Sequence, residues 1–348
     1  MAADELAARM LRQDWQELPG QDLSSVLEQA KSTSRPVTLH LSTAAKTPAP
    51  ARAVQARTET AETTQLSPQQ EKALEQLQHW AQITPLHTAL RHKRQGQWYA
   101  WRWIDALRDV ERLADGLRQQ GFDEQSRLAV SGAFEPNLLL LALAAQQAGG
   151  QVLAIGDDLD AQTLHPILWQ SQPTHAFVPR RQTRQLWLNR GHALLDFADL
   201  LGPGDPPQRL RASRTHVQWW SEEGTQWQAG LTVLLEQWLG SGQPLAFPES
   251  PGSASRDRRE VAPSGLLLSA ERLQRLAEEI DSRLAAPGTW RRRLCDWAIA
   301  HPEKGLQRLI KQRVRRLLGF HHLHDIWQAP RTPPANLARL NEFKRDIA

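Results

Sequence analysis

The sequence is short of several residue types, and each shortage excludes something. One cysteine, Cys295, is present among 348 residues. A lone cysteine closes no intramolecular disulfide, and this usage fits a reducing compartment. No apolar run reaches the ~20 residues that cross a bilayer. The opening MAADELAARM is too polar for a secretory signal. The expected location is therefore the cytoplasm. Lysine is missing from the whole stretch between Lys93 and Lys304. No G-x-S-x-G nucleophile motif occurs, and Cys295 lies beside Trp297 in an apolar helical stretch, where a thiol is a core residue rather than a nucleophile. No catalytic residue is expected, and no cofactor.

What is present is globular: 40% hydrophobic and 23% charged residues, with a formal net charge of +4. The most informative stretch is 98–178. Ile104, Leu107, Val110, Leu113, Ala114 and Leu117 recur at helical spacing, and Gly121 ends that helix. The apolar run Leu128–Val130 follows. Pro136 then opens a helix that is apolar all round, Leu138–Ala148, stopped by Gly149-Gly150. A second run Val152–Ile155, a helix from Asp160 and a third run Ala176–Val178 complete the series. Strand, helix, strand, helix, strand predicts a parallel sheet with crossover helices. A helix without a polar face belongs in the middle of such a fold.

The ordered set Trp98/Trp101, Leu113-Ala114, Gly116-Leu117, Gly121, Arg127–Val130, Glu135-Pro136, Gly149-Gly150, Ile155, Pro173 and Ala176–Val178 resembles the N-terminal region of the AMP-dependent synthetase/ligase (adenylate-forming) superfamily. It is most like the long-chain acyl-CoA synthetases. Each motif is weak alone; their order and spacing carry the resemblance. It extends over roughly residues 68–345, with matching runs at 231–249, 259–269, 293–300, 313–320 and 333–343. It implies an α/β fold, an incomplete acyl-CoA-synthetase-like large domain of two stacked sheet-and-helix layers.

The expected organisation is an N-terminal helical arm at 1–30, a flexible linker at 31–67, and two α/β subdomains at 68–210 and 211–348. Ser67 and Pro68 start the first helix of the resemblance as N-cap and first helical residue. The linker is rich in Ser, Thr, Ala and Pro, with the strand-like alternation Val37–Leu41 inside it.

The resemblance also implies a T-S-G-T-T-G-x-P-K-G phosphate loop after about residue 203. This chain reads RASRTHVQWWSEEGTQWQAG there, with no small-residue run and no lysine. Trp219, Trp220 and Trp227 are expected to fill the space of the lost loop. The family's Y-G-x-T-E, its ribose-binding aspartate motif and its adenylation lysine find no counterpart up to Ala348. The implied reading is a non-catalytic pseudoenzyme that binds a protein partner or an acyl group. One alternative is an AMP-forming acid–thiol ligase completed by another chain. Another is a basic module for nucleic acid or a membrane surface. For the last, residues 256–316 hold 15 Lys/Arg against 8 Asp/Glu. Arg291, Arg292, Arg293, Lys311, Arg315 and Arg316 are the candidate contacts to an anionic partner; an anionic surface is favoured over nucleic acid. The triad His321, His322, His324 is read as a surface turn, not a metal site, because adjacent histidines do not share a helical face.

Overall fold

The computed structural model describes residues 69–188, 191–201, 210–211, 219–283, 288–289, 293 and 305–327. The expected arm, linker, Val37–Leu41 strand and Ser67-Pro68 helix start all lie outside the described residues. In chain order the elements are α1 (Gln69–Ile83), β1 (Thr88–Arg94), β2 (Gln97–Arg102), α2 (Trp103–Gln119), β3 (Arg127–Val130), α3 (Pro136–Gln147), β4 (Gln151–Ala154), α4 (Ala161–Ser171), β5 (His175–Phe177), α5 (Arg181–Trp187), β6 (Ala193–Leu195) and α6 (Phe197–Leu201). They continue as β7 (Leu210–Arg211), β8 (Trp219–Trp220), α7 (Gly230–Ser241), β9 (Leu245–Phe247), α8 (Ala254–Val261), β10 (Gly265–Leu266), α9 (Ala270–Arg283), α10 (Gly305–Leu318) and β11 (Asp325–Ile326).

Two sheets form. Four strands in the order β4-β3-β5-β6 make a parallel sheet. Seven strands in the order β11-β10-β8-β9-β1-β2-β7 make a mixed one, antiparallel only at β1-β2 and β2-β7. The hairpin β1-β2 belongs to the larger sheet although it precedes every strand of the smaller one. The expected division at 210/211 is therefore not a division between sheets: the first hairpin pairs with strands from beyond residue 211.

The strands alternate faces with the period of two that extended backbone imposes. Leu128 and Val130 of β3 face one core cluster, Ala129 another. Leu245 and Phe247 of β9 face that same first cluster, while Ala246 joins a third. The first cluster thus lies between the sheets, and α3 sits inside it. Every side chain from Leu138 to Ala145 has zero exposure. Each buried leucine there contributes about 1.5–3 kcal/mol. Glu135, extended at φ −149°, precedes Pro136 at the start of α3. Proline suits that place because its missing N–H would have had no helical partner.

Helix α2 shows one departure from the expected face. Val110, Leu113, Ala114 and Leu117 are fully buried, but Ile104 is 40% exposed and Trp103 takes the inward position. The indole of Trp103 stacks on Trp238 of α7 at 5.3 Å and 11°, and Trp238 Nε1 donates to Ala89 O at 3.0 Å. A large ring one residue earlier in the period outcompetes isoleucine for the same space. Gly116 of α2 is required by close approach: a Cβ there would collide with the backbone of Leu200 in α6.

Past 178 the agreement is coarser. Strand β6 ends at Leu195, and Phe197 opens α6. The run 242–247 is a strand only over Leu245–Phe247, and the lead-in at 259–263 falls partly within helix α8. In α9, Leu273, Leu276 and Ile280 form the buried face as their spacing predicts.

Candidate functional site

In a parallel sheet all strands end on the same side, and the loops leaving those ends are where polar groups converge. Here the carboxyl ends of β1, β8, β9 and β10 come together with the loop that leaves β3 in the other sheet. That loop, 131–135, meets the loop 221–227 after β8. Phe134 N–H donates to Glu223 O at 2.8 Å, Thr225 N–H donates to Gly132 O at 2.9 Å, and Ala133 bridges Gly224. Gly132 N–H in turn donates to the Thr225 hydroxyl at 3.0 Å. Gly132 has φ +152° and lies against Pro179, so this mutual lacing needs a residue without a side chain.

Two buried carboxylates occupy the junction. Glu223 accepts from Ser269 N–H at 2.7 Å and from Ser269 Oγ at 2.5 Å. Burial pushes its carboxyl above the ordinary range despite Ser269, Arg272 and Arg275 pulling the other way. Glu222, with 1% side-chain exposure, accepts two bonds from Arg258 Nη1 at 2.9 and 3.1 Å. It also pairs with Arg272 and accepts from Trp220 Nε1 at 2.8 Å. The Arg258 guanidinium lies over the Phe320 ring. Trp220 is fully buried and Trp219 donates to Ser241 Oγ at 3.1 Å, so this tryptophan pair is built into sheet and helix packing.

At the end of β1, Lys93 Nζ sits 2.9 Å from Asp257 Oδ1 and 2.6 Å from Glu260 Oε2. Burial alone would lower the ammonium; the bonds to Glu260 and Asp257 outweigh it and hold it above its ordinary value. Burial would likewise raise Asp257, but the Ser253 hydroxyl, Lys93 and Glu249 N–H hold it below the usual range. Beside this pair His92 accepts from Arg94 Nε at 3.1 Å and lies 3.8 Å from Glu135. Burial, with Arg94 adding to it, pushes His92 down to about 3, so the ring is neutral. Burial raises Glu135, against a smaller pull from Arg94.

Chemically the junction is a set of internal pairs, with Arg258 Nε and Ser221 Oγ buried beside them without a hydrogen-bond partner among the described residues. Its acids and bases point at one another. A cavity of about 470 Å³ lies elsewhere, lined by residues that include His165, Trp169, Gln172 and Thr174 near the start of β5. Among the described residues that line it there is no carboxylate, lysine or arginine.

Only part of the set of sequence-named cations lies among the described residues. Arg291 and Arg292 lie outside the described residues, and Arg293 is exposed. Lys311 is on α10, its side chain outside the description. Arg316 is exposed. Arg315 is half-buried and donates to Phe320 O and Leu323 O, both at 3.1 Å, so it ties down the chain after α10 instead of facing a partner. His321 and His322 lie in a turn with their ring centroids 4.3 Å apart and the rings tilted by 50°. No cluster of three metal-ligating side chains occurs among the described residues. No described helix is long and apolar enough to cross a membrane.

Sequence reasoning did not find Glu222, Glu223, His92 or the Lys93–Asp257 pair. The adjacent acids after Trp219-Trp220 were a visible signal: two carboxylates one serine beyond a hydrophobic pair. The partners of Lys93, some 164 residues away in sequence, left no local trace.

Residues 77–218 match the family model of AMP-binding enzymes. Among solved structures, the adenylation domain of a carboxylate reductase from Mycobacterium chelonae aligns at 13% identity and TM-score 0.52, over 80% of this chain and 57% of its own. The N-terminal subdomain of NpsA from Klebsiella oxytoca aligns at 11% identity and TM-score 0.46, over 59% of this chain and 61% of its own. O-succinylbenzoate coenzyme A synthetase from Bacillus subtilis aligns at 12% identity and TM-score 0.46, over 61% of this chain and 52% of its own. No curated protein matches. The chain thus has the fold of the N-terminal part of an adenylation domain, and its residues 77–218 match the AMP-binding enzyme family model. It spans between 52% and 61% of the length of these three structures.

Proposed function

We propose that the chain is a non-catalytic relative of the adenylate-forming enzymes and acts by binding a protein partner or an acyl group. One observation carries this reading. Where the resemblance implies a phosphate-cradling loop, the chain sets Glu222 and Glu223, two buried carboxylates already engaged by Arg258, Arg272 and Ser269. A triphosphate entering there would find the Arg258 and Arg272 guanidiniums already paired with Glu222, whose carboxylate competes with phosphate for them. Among the described residues it would also find donors already engaged, the Gly132 N–H by Thr225 and Lys93 by Asp257 and Glu260. Binding a partner or acyl chain asks for none of those donors.

Acid–thiol ligation completed by a second chain is the competing reading, and one experiment separates the two. ATP is titrated into the full chain by calorimetry, and pyrophosphate release is followed with fatty acids of graded length. We expect no heat of binding and no acid-dependent pyrophosphate. Micromolar affinity for ATP, or pyrophosphate that depends on added acid, overturns the non-catalytic reading.

A further inference from the structure

Helix α10 divides its residues between two surroundings. Val314 and Leu318 are buried in the cluster over the larger sheet, with Leu266, Leu273 and Phe320. Arg313, Arg316 and Leu317 lie on the opposite, exposed side, Leu317 at 41%. Their spacing of three and four residues puts them on one helical face. The neighbouring helix α8 adds a third cation. Gly319 lies so close to Arg259 that a Cβ on it would come within 2.7 Å of the Arg259 Cα. That contact brings exposed Arg259 to the end of α10 that carries Arg316. Arg259, Arg313 and Arg316 make no ion pair within the described residues, unlike Arg258, which is consumed by Glu222. The local field is positive enough to be felt by His321: burial, then Arg316 and Arg315, lower its imidazole below the ordinary value.

We propose that the face formed by Arg259, Arg313, Leu317 and Arg316 docks on an anionic lipid bilayer. Charge complementarity supplies the attraction: guanidinium groups bind phosphate oxygens through paired N–H donors, and cationic residues are drawn to an anionic leaflet. Leu317 chooses between lipid and nucleic acid. An apolar side chain set among arginines gains by entering the boundary between headgroups and acyl chains. A nucleic-acid backbone offers it nothing. Nor is there an exposed aromatic ring on this face, among the described residues, on which bases would stack. Because Val314 and Leu318 stay in the core, contact is shallow and mainly electrostatic.

The test is co-sedimentation of the full chain with vesicles of phosphatidylcholine, with and without phosphatidylserine, at low and high salt. Binding is expected only to the phosphatidylserine vesicles and is expected to weaken with salt. The triple variant Arg259→Gln/Arg313→Gln/Arg316→Gln is expected to lower the partition coefficient about 100-fold. Leu317→Ser is expected to lower it a few-fold while leaving the salt dependence unchanged. A thermal melt of each variant keeps a folding defect from passing as a docking defect. Equal binding to both vesicle types, or an unaffected triple variant that is folded, overturns the proposal. So does binding of a random-sequence DNA duplex that phosphatidylserine vesicles fail to compete away, which would assign the face to nucleic acid.

Discussion

Helix α3 and the polar junction meet at Glu135-Pro136, and they solve the problem of burial in opposite ways. From Leu138 to Ala145 the helix is buried on every side without a charged atom. A few residues away in space, Glu222, Glu223, Arg258 and Lys93 are buried just as deeply, each with 6% exposure or less on its side chain or as a whole. Burying apolar area stabilises whatever the neighbour is, provided it fits. Burying charge is tolerated only if a partner arrives at hydrogen-bonding distance. The difference teaches that α3 is robust by composition, whereas the junction depends on several distant segments docking together.

The sharpest way to break the comparison is to move the junction's chemistry into the helix. Leu141→Asp places a carboxylate where no partner exists, costing at least several kcal/mol. That is comparable to the stability of a whole domain, so soluble protein should be lost. A folded, cooperative melt for this variant would mean that α3 is not enclosed. A smaller effect is expected from removing one partner within the junction. Glu222→Ala leaves Arg258 buried with its bidentate acceptor gone, a loss of about 3–5 kcal/mol. Denaturant midpoints at unchanged slope measure it; a loss below about 1 kcal/mol would show that solvent already reaches Arg258.

The smallest expected effect is read through pH. His92 takes a proton near 6.5 when unfolded but only at about 3 when folded. A depressed folded value means stability present above pH 6.5 is lost as pH falls from 6.5 toward 3. The slope from this group is up to about 1.4 kcal/mol per pH unit. Glu135 and Glu223, raised by burial, act with the opposite sign, favouring the folded state as they protonate. The difference between wild type and His92→Gln isolates the histidine: melts between pH 7 and 4 should fall less steeply in the variant. Parallel slopes would show that His92 protonates in the folded state like a solvent-exposed ring.

Much of the smaller sheet was legible because its information is local. Leu128–Val130, Val152–Ile155 and Ala176–Val178 are apolar runs bounded by turn residues, and each became a strand within a residue or so. The helix start near Asp160 was equally plain, and in the fold the Asp160 carboxylate caps α4 by accepting from Thr163 N–H at 2.8 Å. The exposed place of Ile104 was not legible, because spacing alone cannot say that Trp103 fills the same space better. Arg315 looked like one more cation on a basic helix. Only its geometry shows the two carbonyls it ties down.

The sequence by itself determined the alternation of helix and strand from 98 to 178 and the burial of α3, because hydrophobic period and length act over neighbouring residues. It also determined that no lysine stands between residues 93 and 304. Tertiary structure alone decided that the first hairpin joins the larger sheet and that Lys93 meets Asp257. It alone closed Glu222 and Glu223 on Arg258 and Ser269. Those pairings join residues 36 to 164 positions apart. No local pattern encodes them, since a charge chooses its partner only after the apolar layers have brought the two together.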